Sequence, residues 1–187
     1  MDLKNLSIVR RSFANTVFTH KVHEIAVEFQ ERKLLCVKII NIILVSIVLI
    51  ILFSQILYPG KIWLSYLGAG LSVIEVIFLI IQLAFGFDKR MILHKNIALK
   101  FMGLRDSYIS LISDIMNENI NIASLITKRD SLQREYQIIC ELAPQTGRKE
   151  YHEAQIRLNK KGRTDGEEFT WLDEEIDHFL PESLRLK

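Results

Sequence analysis

The sequence predicts an all-α membrane protein: a two-helix transmembrane hairpin with long cytoplasmic helical extensions, assembled as an oligomeric helical bundle. Three observations carry that prediction. Residues 39–60 carry no charge, and residues 62–87 carry only Glu75. Each run reaches the ~20 apolar residues a helix needs to cross a hydrocarbon core of about 30 Å. Only Tyr58-Pro59-Gly60-Lys61 separates the second run from the first, and a turn that short makes the two helices antiparallel neighbours. On both sides of the hairpin, helical apolar periodicity continues, and no stretch reads as a convincing strand.

Composition agrees. The chain has 187 residues, 49% of them hydrophobic, and a formal net charge of +2. Mean hydropathy is +0.18, high for a soluble domain. The polar first 38 residues, with Lys4, Arg10, Arg11 and Lys21 among them, do not resemble a cleaved signal peptide. Lys21, Arg32, Lys33 and Lys38 precede the first span, and Lys89, Arg90, Lys95, Lys100 and Arg105 follow the second. The turn has Lys61 alone, so the positive-inside rule puts both termini in the cytoplasm. Tyr58, Trp63 and Tyr66 suit the outer interface. Cys36 and Cys140 fall on one side of the membrane and suit a reducing compartment rather than a disulfide framework.

In chain order, residues 1–38 form a cytoplasmic amphipathic helix, 39–87 the hairpin (spans 39–58 and 62–87), and 88–187 a cytoplasmic helical region with a tail helix. Ala14, Phe18, Val22, Ile25 and Phe29 mark one apolar face, and no Gly or Pro occurs before Pro59. One helix from about Ser12, its cap, through the first span is expected. His20 and His23, followed by Glu24, have a helical i, i+3 relation that could hold a metal, but no third ligand is evident, so a solvated face is the expectation there. After the second span, Ile97, Phe101, Leu104, Tyr108, Leu111 and Ile115 form an a/d seam that predicts packing against the N-terminal helix. Gly103 costs about 1 kcal/mol in a helix and suggests a close helix contact. A turn at 117–121 precedes a helix with Ile122, Ile126, Leu132, Tyr136 and Ile139 toward a core, stopped by Pro144. A shorter helix runs from about Arg148 to Leu158, with Tyr151, Ala154 and Leu158 on one face. A polar loop and an acidic tail follow. Phe169, Leu172, Ile176 and Phe179 are spaced as a docking helix, with Trp171 and Phe179 as anchors for a partner or a core.

Two groups of residues are candidates for function. Glu75 lies near the middle of the second span, where an ionisable group costs about 3 kcal/mol and is expected to face protein or water. Gly68, Ser72, Glu75, Leu79, Gln82 and Gly86 recur at steps of four and three, a narrow small-and-polar stripe on an otherwise aliphatic helix. Small residues allow close helix approach, and polar ones bond across an interface or line water. Several copies turning this stripe inward would enclose a pore with an acidic ring, which favours cations. Alternatively, a protonated Glu75 bonds a neighbouring helix near Asn41 or Ser46. In the first span, Asn41 and Gln55 lie near opposite ends and are expected to meet interfacial water. The second group is basic: Arg148, Lys149, Arg157, Lys160, Lys161 and Arg163. It suits a phosphate-bearing signal, or is a solvated face offset by the acidic tail. No catalytic constellation is present: no nucleophile elbow, Walker motif, HExxH or CxxC pair. Neither an enzyme nor a cofactor is expected.

The architecture resembles the SLATT family, two-transmembrane proteins of bacterial conflict systems proposed to be pore-forming effectors. The resemblance rests on the long helix running into a tight hairpin and on the seam helix KNIALKFMGLRDSYISLISDI. It rests also on the break at Ala143-Pro144, on Tyr151 and Ala154 in YHEA, and on a terminal IDxFLPxxLR element from Ile176 to Arg185. It implies a homo-oligomeric channel in the bacterial inner membrane, with a tetramer as the expected assembly, that harms the infected cell when triggered. The trigger would come from a nucleotidyltransferase or reverse-transcriptase partner system and its nucleotide or nucleic-acid signal. A non-conducting membrane anchor or scaffold for a cytoplasmic partner is the alternative. A small-multidrug-type transporter ranks behind both, because the chain has two spans rather than four.

Overall fold

The computed structural model describes residues 2–159 and 171–186, and these residues are all-helical apart from turns and short connections. In order they form α1 (Leu3–Leu57), α2 (Ile62–Phe85), α3 (Phe87–Met116), α4 (Ile122–Leu142), α5 (Arg148–Arg157), α6 (Asp173–Asp177) and a 3-10 turn at Glu182–Leu184. Two compact units divide the chain: Met1–Val27 with Ile92–Lys187, and Glu28–Met91.

The first unit is a helical bundle. Its core is the expected seam: Ile97, Phe101, Leu104, Tyr108, Leu111 and Ile115 of α3 are all buried. So are Ala14, Phe18, Val22 and Ile25 of α1; Phe29 lies outside this unit. α1 begins at Leu3, well before Ser12. Asp2 is the reason: its carboxylate accepts from the Asn5 backbone N–H at 3.1 Å and from its amide at 2.6 Å, so the first turn is satisfied without Ser12. Asn121 caps α4 by accepting from the Ser124 N–H at 2.8 Å. Glu150 reaches back to the Gly147 N–H at 3.0 Å to start α5.

Several expectations inside this unit are corrected. Ile122 and Ile126 of α4 are exposed, and Leu125 is buried in their place. The seam of α4 runs through Leu125, Leu132, Tyr136 and Ile139, so Ile126 stands one residue, about 100°, off it. Gly103 makes no close helix contact: a Cβ built there would meet nothing within 4 Å. The tail helix is short, α6 being 5 residues long. Leu172 is exposed rather than docked, and Ile176, Leu180 and Leu184 are the buried apolar residues. Phe169 lies outside the described residues.

The second unit is the hairpin. Two helices in the chain are long and apolar enough to cross a membrane. α2 alone, with 24 residues, is about 36 Å long. Most of its large apolar side chains are exposed, Leu83 to 86% and Ile80 to 61%, as expected of a surface that meets lipid. The antiparallel pairing is explicit. Gln55 Nε2 donates to Ser65 Oγ at 2.6 Å, and Gln82 Nε2 to the Val37 carbonyl at 3.4 Å. Gly68 lies where a Cβ would come 3.3 Å from Ile51 Cγ2. Near the turn, Lys61 Nζ sits 5.2 Å over the Tyr58 ring. Gly86 ends α2 in the left-handed region, φ 54°, which glycine adopts without the Cβ clash of other residues.

Candidate functional site

The small-and-polar stripe of α2 is partly spent inside the hairpin. Gly68 is buried against α1, Gln82 is half-buried and bonded to Val37, and Ser72 Oγ donates back to the Gly68 carbonyl at 2.9 Å. Gly86 is the helix cap. Glu75 is half-buried, and Leu79, one turn on, is exposed. Among the described residues, Glu75 makes no bond to the neighbouring helix near Asn41 or Ser46. Glu75 has no hydrogen-bond partner among the described residues, and Ser46 Oγ donates to its own helix at Ile42, 2.7 Å away. Asn41 Oδ1, in contrast, is buried without a partner. Gln55 bonds Ser65 instead of relying on interfacial water. Glu75 is thus an ionisable group inside an apolar span that no hydrogen bond or ion pair among the described residues answers.

The basic group is only partly described. Lys160, Lys161 and Arg163 lie outside the described residues. Arg148 and Lys149 open α5 and are exposed. Arg157 donates to Glu153 at 2.8 Å one turn earlier, which reduces its free charge. A shallow cavity of about 240 Å³ lies between the end of α5 and the tail. Its lining includes Trp171, Phe179, His178, Glu174 and Glu175, and its two carboxylates disfavour a phosphate there.

Two polar clusters inside the bundle escaped sequence reasoning. Arg10, fully buried, donates to Asp177 Oδ1 at 2.6 Å and to the carbonyls of Asp173 and Leu184 at 3.3 Å each. Asp173 Oδ1 stands 3.5 Å from its Nε. Asp177 also accepts the Leu186 N–H at 3.2 Å, so one carboxylate fastens both α1 and the chain end. Trp171 reinforces the attachment, donating to Asn15 Oδ1 at 2.7 Å and meeting the Phe18 ring edge-on at 6.4 Å. Tyr151, on the other side, meets Phe18 at 5.0 Å. The IDxFLPxxLR element therefore closes the bundle over α1. Trp171 is a core anchor; Phe179 is half-buried and packs edge-on against it at 6.2 Å.

The second cluster is histidine. His23 does not face solvent: it is 3% exposed, and its Nδ1 lies 3.0 Å from His94 Nδ1, itself 4% exposed. The ring stacks on Phe101 at 5.8 Å. Burial, then the neighbouring His94 and His20, push the His23 imidazole down to about 4. Burial likewise lowers His20. It raises the Tyr136 hydroxyl, and it raises Tyr108 to about 12. Among the described residues, no group of three or more His, Cys, Asp or Glu side chains gathers as a metal site. The signal available in the sequence was the phase of His23, one residue after Val22 on the buried face.

Comparison with known proteins is informative at the family level. Residues 6–175 match the SMODS and SLOG-associating 2TM effector domain family 4. No curated protein matches the chain, and no solved structure does. The match runs from the first helix through the hairpin to the start of α6. The chain belongs to the SLATT family of two-transmembrane effector domains.

Proposed function

We propose that this chain is a pore-forming membrane effector of a bacterial antiphage defence system, gated through its cytoplasmic helices. One observation carries the reading: Glu75, midway along an apolar span, has no partner among the described residues. A carboxyl group there is costly unless other protein or water surrounds it. Sister hairpins supply both. In a homo-oligomer, a tetramer in the first instance, Glu75 forms the charge ring. Ser72 and Leu79 flank it on the stripe, while Gly68, Gln82 and Gly86 hold each hairpin together and end it. The acidic ring favours cations. The membrane is the bacterial inner membrane, with both termini in the cytoplasm.

The bundle is the receiving part. α1 runs unbroken from Leu3 to Leu57, and coupling between the cytoplasmic helices and the spans runs along that continuous helix. A nucleotidyltransferase or reverse-transcriptase partner system provides the trigger, in keeping with a family that associates with SMODS and SLOG proteins. Arg148, Lys149 and Arg157, with Lys160, Lys161 and Arg163, are the basic residues suited to its phosphate-bearing signal.

Induced expression in bacteria carrying a membrane-potential dye tests the reading. A conducting effector depolarises the cells when triggered, and Glu75→Gln alters the response. A scaffold leaves the potential intact with either residue.

A further inference from the structure

We propose that the end of the hairpin opposite its turn is a docking belt for anionic phospholipid headgroups. Arg32, Lys33 and Lys38 of α1 form it, with Lys89 and Arg90 from the first turn of α3. All five belong to the hairpin unit, Glu28–Met91, and all five are exposed. Among the described residues, no ion pair or hydrogen bond holds any of their side chains. Cations of the bundle behave differently: Arg10, Lys21, Lys128 and Arg157 each meet a carboxylate at 2.6–3.1 Å. Carboxylates are not lacking beside the belt. Glu31 and Asp88 are exposed there, and Glu28, a turn further from the spans, has a partner of its own. Against Glu31 and Asp88 the five cations leave three positive charges in excess. Their complement lies outside the chain.

The register of the hairpin brings these charges to one level. The bond from Gln82 to the Val37 carbonyl aligns the two helices at that point. Lys38 adjoins it, and Lys33 and Arg32 lie about 6–8 Å further out along α1. Lys89 and Arg90 follow Gln82 by about 10–12 Å of helical rise. Long basic side chains lay their stems on apolar surface and carry the charge out to the polar layer bordering a hydrocarbon core. Apolar surface begins at the same level. Leu35, Ile39 and Ile40 of α1 are exposed, as are Ile81 and Leu83 of α2. Cationic and apolar surface therefore adjoin. The molecule that matches both is an amphiphile with an anionic head and acyl chains; a soluble phosphate matches only the first. The turn end has no such belt: its one cation, Lys61, lies over the Tyr58 ring. The belt thus addresses a single leaflet. It rests on the reading of the hairpin as a membrane-inserted unit.

The test uses the full chain in nanodiscs of mixed phosphatidylglycerol and phosphatidylcholine at low salt, read by ³¹P spectra. Line broadening is expected to fall on the phosphatidylglycerol signal, with an enrichment of at least about fivefold, the gain from one cation near an anionic surface. Raising salt to about 1 M shortens the Debye length to about 3 Å and is expected to remove the preference. Lys33→Gln/Lys38→Gln/Lys89→Gln/Arg90→Gln removes it too, whereas Lys128→Gln/Arg134→Gln, on exposed positions of the bundle, retains it. Equal broadening of both signals for the natural chain at low salt overturns the belt, a result that needs no variant to fold. So does a preference that survives the quadruple variant, or one that inorganic phosphate cancels at matched ionic strength, which marks a soluble-anion site instead. A chain that enters nanodiscs of neither lipid overturns the membrane reading along with the belt, while equal broadening leaves that reading standing. Conductance enters none of these readouts, so the belt and the pore reading fail separately.

Discussion

The two units of this chain solve opposite problems with the same secondary structure. In the bundle, a core of apolar side chains is hidden, and several polar groups set in it are partnered over long range: Arg10 by Asp177, His23 by His94, Trp171 by Asn15. In the hairpin, large apolar side chains are displayed, and of the polar ones within the spans Gln55 and Gln82 bond the other helix while Ser46, Ser54 and Ser72 bond their own. The difference teaches where each unit's stability resides. The bundle stands on long-range contacts between the chain ends, and the hairpin on a surrounding that replaces water. A polar group left unanswered therefore means different things in the two places. In the bundle it lies among packed side chains; in the hairpin, Glu75 is the position at which the proposed assembly brings further copies together.

Among the largest effects expected to break this contrast is that at the chain-end ion pair. Asp177→Ala leaves the buried Arg10 with only the more exposed Asp173 carboxylate, 3.5 Å from its Nε, and should cost about 3 kcal/mol of bundle stability, read as a fall in the thermal midpoint of the full chain in detergent. Replacing both partners, Arg10→Leu/Asp177→Leu, should cost much less than the sum of the single changes, a coupling that a double-mutant cycle measures directly. The core itself is in the same class. Phe101→Ala should lose about 3–5 kcal/mol. Ile77→Ala, on the exposed face of α2, should stay within about 0.5 kcal/mol in the same assay. Equal losses at both positions would erase the distinction drawn between the units.

A smaller effect follows from pH. The folded bundle holds His23 neutral down to about 4, below the ordinary value of about 6.5. The unfolded chain therefore takes up the proton first as pH falls. Stability is unaffected by this group above about pH 6.5 and declines between there and pH 4, by about 3 kcal/mol in total. His23→Leu flattens that stretch of the profile. Smallest are the glycines. Gly103→Ala should stabilise α3 by up to about 1 kcal/mol, because the added methyl meets open space. Gly86→Ala should destabilise by a similar amount, because φ is 54° there.

What the sequence disclosed follows the range over which each interaction acts. The hairpin was legible because a span's length is set by lipid, and its turn lies within four residues. The α3 seam was legible because one helix carries the entire pattern. The α4 seam was misread by one residue at Ile126, since an exposed isoleucine and a buried leucine are adjacent and the period alone does not rank them. The start of α1 was missed because Asp2 and Ser12 are both competent caps, and only the packing of Leu6 and Val9, both buried, favours the earlier one. Arg10 with Asp177, and His23 with His94, are separated by 167 and 71 residues. No local pattern announces such pairs, and they emerge only when the helices are laid together. Glu75 stood out in the sequence for the opposite reason: a charge in a long apolar run is conspicuous before any fold is known.

Single-channel recording of the purified protein in planar bilayers bears most directly on the pore. The account predicts discrete cation-preferring openings for the natural chain, and a loss of that preference in Glu75→Gln. Conductance and selectivity that are unchanged by the substitution, or membranes that stay silent under every trigger, would contradict it.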